Sequence, residues 1–192
     1  FANTRTVFSI HNLAYSGAFN PSDLWWLGFS EYTSDFMLKG AASALKAGIM
    51  AADALSTVSP RYAREIQTPE QGYGLDWLMR ARSDRLVGIT NGVDYEVWSP
   101  ETDPLIAARF SVDDLTGKRE CKLDLLRRFD LPKEPERPII AIISRLVGQK
   151  GYDLIRKAAG DILNTGACFI ALGAGAREYE DFLQSWHDAA PN

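Results

Sequence analysis

In the stretch "IISRLVGQKGYDLI", residues 142 to 155, Arg145 and Lys150 stand five positions apart between an apolar run and a new amphipathic pattern. Arginine carries a planar fork of donors and lysine a compact charge, so the pair suits a phosphate or diphosphate. The run ending at Arg145 reads as a strand and the pattern after Lys150 as a helix. In an open parallel sheet, ligands sit at the carboxyl ends of strands, beside the amino ends of the following helices. Free backbone N–H groups and the helix dipole already favour an anion there. Glycines at 148 and 151 let backbone approach a ligand closely. A second glycine-rich stretch, "LGAGAR" at 172 to 177, ends the next strand and places Gly173 and Gly175 to approach the same ligand. There is no P-loop or GxGxxG, which weighs against a dinucleotide-dependent oxidoreductase. On these residues alone, a pair of solvated surface cations is the competing reading.

The elements that must position this pair alternate between strand-like and helix-like text. "TVFSI" (6 to 10) is a short apolar run ending at His11, and "ALSTVS" (54 to 59) and "RLVGIT" (85 to 90) read as further strands. A mostly buried helix is expected around 36 to 51. Ser59 and Pro60 form a helix start, an oxygen acceptor at the cap and proline at the first helical position. "GLDWLMRAR" is a short helical run. Between about 98 and 117 the text turns to Pro, Asp, Ser and Thr, the expected domain boundary. Beyond it, "KRECKLDLLRRFDL" reads as a helix, "RPIIAIISR" as a strand, "YDLIRKAAGDIL" as a helix with one apolar face, "ACFIALG" as a strand and "REYEDFLQSW" as a helix. Apolar strands separated by helices mean parallel sheets covered on both faces, hence an α/β fold in two parts, 1–98 and 99–192.

The 192 residues are 46% hydrophobic, enough for a substantial core. A net charge of −4 excludes a dominant basic face, so neither nucleic acid nor an anionic membrane is the expected partner. The most apolar stretch, "FMLKGAASALKAGIMAADAL", carries Lys39, Lys46 and Asp53 and reads as core, not as a membrane span. Cys121 and Cys168 lie far apart without metal-ligand spacing and read as free thiols of a reducing, cytoplasmic compartment. Neither a metal nor a cofactor is expected.

Four longer stretches, "SIHNLAYSG", "STVSPRYAREIQTPEQGYGLDWLMRAR", "GITNGVDYEVWSPETDP" and "SRLVGQKGYDL", stand in the order and spacing they take in bacterial glycogen synthases and the related starch synthases. The chain resembles that family over nearly its whole length. The resemblance implies a GT-B-like fold with parts of two Rossmann-like domains, each incomplete. Residues 1–98 would be the later part of the N-terminal, acceptor-side domain, and 99–192 the first part of the C-terminal, nucleotide-sugar-binding domain. It also implies transfer of glucose from ADP-glucose to the non-reducing end of an α-1,4-glucan such as glycogen, with retention.

Arg145 and Lys150 match the family's R-x4-K pair, which binds the donor diphosphate and stabilises the departing ADP. His11 matches a histidine beside the transferred glucose, and Asn91 an asparagine near the donor sugar hydroxyls. Without the resemblance, His11 reads as a satisfied strand-end histidine and Asn91-Gly92 as a turn. Tyr15 and Tyr95 are weaker candidates, and Trp25, Trp26 and Trp77 read as packing residues more readily than as glucan-stacking platforms. The family's KTGGL loop and E-x7-E motif are absent, so the stretch is expected to be a central fragment that transfers no glucose by itself. A non-catalytic nucleotide- or glucan-binding module using the same pocket is the alternative.

Overall fold

The computed structural model describes residues 3–131 and 134–190; the extreme terminal residues, which enter the reading of the chain as a fragment, lie outside them. Contacts divide the chain into two compact units, one ending at Val93 and one beginning at Asp94.

The first unit opens with β1 (Val7–Ile10), β2 (Ala18–Phe19), the short helices α1 (Asp23–Trp26) and α2 (Thr33–Phe36), and β3 (Met37–Leu38). It continues with β4 (Ala41–Ser43), α3 (Ala44–Ala51), β5 (Ala54–Thr57), α4 (Pro60–Glu65), α5 (Asp76–Ala81) and β6 (Leu86–Gly88). Strands β1, β5 and β6 form a parallel sheet in that order, with Ile10 opposite Thr57 at the last rung of the β1–β5 ladder. Ile10, Leu13, Ile49, Leu55, Leu75 and Met79 belong to one continuous buried cluster beneath this sheet. The Ser59–Pro60 start forms as expected, with the Ser59 hydroxyl oxygen accepting the Tyr62 N–H and proline at the first position.

The helix expected over 36 to 51 begins only at Ala44. Its first half is an antiparallel hairpin in which Met37 pairs with Ala42 and Leu38 with Ala41, and β2 adds to the other side of β4. Lys39 and Gly40, the two residues between the strands, both have left-handed φ, 50° and 86°. That pair of signs is the tight turn whose twist matches a hairpin. Lys46 on α3 then turns its buried ammonium back, donating to the Ser34 and Met37 carbonyls. A buried charge needs such partners.

The second unit contains α6 (Thr116–Arg128), β7 (Ile139–Ile143), α7 (Tyr152–Asn164), β8 (Cys168–Leu172) and α8 (Arg177–Ala189), all close to their expected bounds. Strands β7 and β8 pair in parallel from Ile139–Cys168 to Ile143–Leu172. The α/β class with parallel pairing therefore holds in both units. Both cysteines are free thiols, with the Cys121 thiol donating to the Ala108 carbonyl. Among the described residues no helix is long and apolar enough to cross a membrane.

Candidate functional site

Arg145 follows the carboxyl end of β7. The backbone is held in place there: the Ser144 N–H donates to the Leu172 carbonyl at 3.1 Å, the Leu146 N–H to the Ala174 carbonyl at 3.0 Å, and the Ala176 N–H to the Leu146 carbonyl at 2.8 Å. Leu146 itself is buried against Tyr152 and Tyr179. Arg145 is thus carried on a rigid strand extension with its side chain exposed. Lys150 closes a one-turn 3-10 helix, Gly148–Lys150, directly before α7. Gly151 follows at φ 82°, a left-handed conformation that favours glycine, and no side chain caps the amino end of α7. Among the described residues, neither the Arg145 guanidinium nor the Lys150 ammonium has a hydrogen-bond or ion-pair partner. The Asp153 carboxylate, in the first turn of α7, is a local countercharge to the helix dipole.

Gly173 and Gly175 are needed first for chain-to-chain packing. A Cβ on Gly173 would run into the Ser144 carbonyl oxygen, and one on Gly175 into the Leu146 backbone. The Gly175 N–H donates to the Glu180 carboxylate at 2.9 Å, a partner that nothing in the sequence signalled. Gly148 is similarly close-packed: a Cβ there would lie 3.2 Å from the Tyr179 hydroxyl. The two glycine loops therefore form one backbone platform at the carboxyl ends of β7 and β8, and the Arg145–Lys150 turn stands on it.

In the first unit, His11 follows β1 and Asn91 follows β6. These strands are parallel and flank β5, so both residues follow carboxyl ends on the same edge of the sheet, His11 one residue and Asn91 three residues beyond its strand. Both are exposed. A Cβ on Gly88 would collide with the Ser59 carbonyl, so β6 can pass the start of α4 only with glycine there. Tyr15 and Tyr95 are also exposed. The tryptophans expected to pack do not: Trp25 is 71% exposed, Trp26 84% and Trp77 50%. Trp25 and Trp26 sit on a single helical turn that buries Leu24 alone, and Trp77 lies at 6.0 Å from the Lys46 ammonium.

The α/β chain thus sets Arg145 and Lys150 on a glycine platform at the carboxyl end of a parallel strand. The starch synthase catalytic domain profile matches residues 1–81. A glycogen synthase of Koribacter versatilis is 43% identical over all of this chain and 40% of its own length, and one of Myxococcus xanthus is 45% identical over 99% and 40%. The catalytic domain of Arabidopsis thaliana starch synthase IV, solved bound to ADP and acarbose, superposes with a TM-score of 0.88 at 33% identity over 97% of this chain and 40% of that one. Along nearly its whole length the chain is thus similar to members of the glycogen and starch synthase family, and it has the α/β, GT-B-like fold class expected from that resemblance. It spans about 40% of the length of the relatives it matches.

Proposed function

We propose that these residues are part of a retaining glucosyltransferase that moves glucose from ADP-glucose to the non-reducing end of an α-1,4-glucan. Residues 1–98 would then belong to its acceptor-side domain and 99–192 to its nucleotide-sugar domain. The observation that carries the reading is the unpartnered Arg145–Lys150 pair beside an uncapped helix start. Two cations without partners among the described residues, on a backbone held by four hydrogen bonds, are preorganised for an anion from outside. The ADP and acarbose bound to the Arabidopsis relative are a nucleoside diphosphate and a glucan-like oligosaccharide, the two ligand classes the proposal needs.

Cleaving the glucosyl–phosphate bond leaves negative charge on the departing diphosphate. Arg145 and Lys150 meet that charge as it grows, so they stabilise the transition state more than the bound donor. His11 and Asn91 serve as the neighbours of the transferred glucose. Gly173 and Gly175 contribute backbone that fixes the cationic turn. The test is initial-rate kinetics of the full-length protein with ADP-glucose or UDP-glucose as donor and glycogen as acceptor, with the anomeric configuration of the product read by NMR. ADP-glucose should be the better donor and the new linkage α. Arg145→Ala and Lys150→Ala should each lower kcat/KM by roughly 10- to 100-fold, the worth of one hydrogen bond to a charged group. Much of that loss should fall on kcat. Near-native kinetics in both folded variants would return the pair to ordinary surface cations, and ADP binding without turnover would favour the module.

A further inference from the structure

The β1–β5 ladder ends at Ile10 and Thr57, so the main-chain pairing that aligns β1 no longer holds the residue that follows, His11. Two side chains from one segment take over. The Thr57 hydroxyl donates to the Ile10 carbonyl at 2.7 Å, with both residues buried. On the far side of His11, the Leu13 N–H donates to the Tyr62 hydroxyl oxygen at 2.9 Å, and Leu13 is buried too. Tyr62 is itself fixed, its N–H donating to the cap oxygen of Ser59 and its ring packing on the first unit's core. Asn12 closes a turn of its own by accepting the Ala14 N–H at 3.0 Å. Of the four residues from Ile10 to Leu13, His11 alone makes no hydrogen bond of its own among the described residues. It is flanked on both sides by residues that do.

A histidine serving only as a strand terminator needs no such bracket. We infer that Thr57 and Tyr62 are positioning residues that hold the His11 imidazole in the geometry glucose transfer requires. The inference rests on the assignment of His11 to the transferred glucose. A small displacement of a reacting-site group is costly: about 1 Å can lower a rate by roughly 100-fold. Losing one of two brackets leaves the other, so the effect of each should be smaller.

The experiment measures kcat and donor KM of the full-length protein for His11→Ala, Thr57→Val, Thr57→Ser and Tyr62→Phe, and for Thr57→Val and Tyr62→Phe each combined with His11→Ala. Thr57→Val keeps the shape of the side chain and removes its donor, whereas Thr57→Ser keeps the donor. Thr57→Val and Tyr62→Phe should lower kcat about 3- to 10-fold with KM changed less than about twofold, Thr57→Ser should restore most of it, and neither should lower kcat further once His11 is alanine. If His11→Ala loses activity while both bracket variants keep theirs, or if they cost as much without His11 as with it, the positioning role is wrong and the His11 assignment survives. If His11→Ala is itself near native, the assignment fails and takes the inference with it. Tyr62→Phe, which adds no atom and removes only the hydroxyl that accepts the Leu13 N–H, keeps the question decidable should Thr57→Val not fold.

Discussion

The two units hold their candidate residues by different means. In the first, His11 is bracketed by side-chain hydrogen bonds above a continuous cluster of nine buried residues. In the second, Arg145 and Lys150 ride on backbone hydrogen bonds and close glycine contacts over a cluster of three, Leu146, Tyr152 and Tyr179. Apolar side chains of its sheet, Ile143 and Leu172, remain exposed. Orienting an imidazole against a sugar needs angular precision, which packed side chains provide. On the proposed reading, receiving a diphosphate needs a rigid scaffold and free charges, and backbone bonded to backbone provides that with no side chain among the described residues paired to either cation.

If that division is real, damage to one unit's core should spare the other's ligand. Leu55→Ala removes a fully buried side chain from the centre of the first cluster and should cost about 2–5 kcal/mol of that unit's stability. Chemical denaturation should show the loss while ADP affinity, measured by titration calorimetry below the transition, stays unchanged. A parallel drop in ADP affinity would mean that the two sets of residues are not held independently.

A narrower break falls in the second unit. Gly173→Ala drives a methyl into the Ser144 carbonyl oxygen, one residue before Arg145, and should cost about 1–3 kcal/mol as an overpacked contact. Unlike Leu55→Ala, it should also weaken ADP binding, because the backbone that must yield carries the guanidinium. Gly92→Ala, where a Cβ meets open space, is the control and should do neither.

The same contrast explains what could be read from the sequence. The parallel strands, the Ser59–Pro60 helix start and the placement of Arg145 after a strand and Lys150 before a helix were legible because each is written in a few consecutive residues. The hairpin at 37–42 was not, since Met, Leu and Ala suit a helix equally well and only the left-handed Lys39–Gly40 turn with the added strand β2 decides against it. The bracket on His11 was hidden for a different reason: its bonds span 47 and 49 residues, and nothing local in threonine or tyrosine announces a partner so distant. Gly173 and Gly175 were legible as special positions, but the neighbour that each approaches is chain.

Ser59→Ala tests the bracket from its foot. Losing the cap should cost about 1 kcal/mol, the usual worth of such an acceptor. It should also loosen Tyr62, whose N–H the cap receives, and so lower kcat slightly through His11. Ser59→Asp, another good cap, should keep both, and equal kcat in Ser59→Ala and the parent would place the Tyr62 ring under the control of core packing alone.

The smallest expected effect compares two carboxylates, one in each unit. Asp53 accepts the Thr6 N–H at 2.8 Å and the Thr6 hydroxyl at 3.1 Å and pairs with Arg5, so its carboxyl is held below its ordinary value of 3.8. Asp114 is held below the same value by the hydroxyl and N–H of Thr116. A depressed folded value means that the stabilisation is present above the unfolded value and disappears as pH falls through the folded one. Both contributions should therefore be intact at neutral pH and fade below about pH 4. They differ in reach. Asp53 joins the start of β1 to the start of β5 across 47 residues, a contact the unfolded chain lacks, whereas Asp114 bonds two residues onward and can do so in the unfolded chain as well. Asp53→Asn should accordingly lower the urea midpoint at pH 7 and leave it unchanged at pH 2.5, while Asp114→Asn should shift it less at pH 7. An equal shift for the two would show that the Asp114 turn forms only on folding, and the second unit would then depend on side-chain contacts more than its glycine platform suggests.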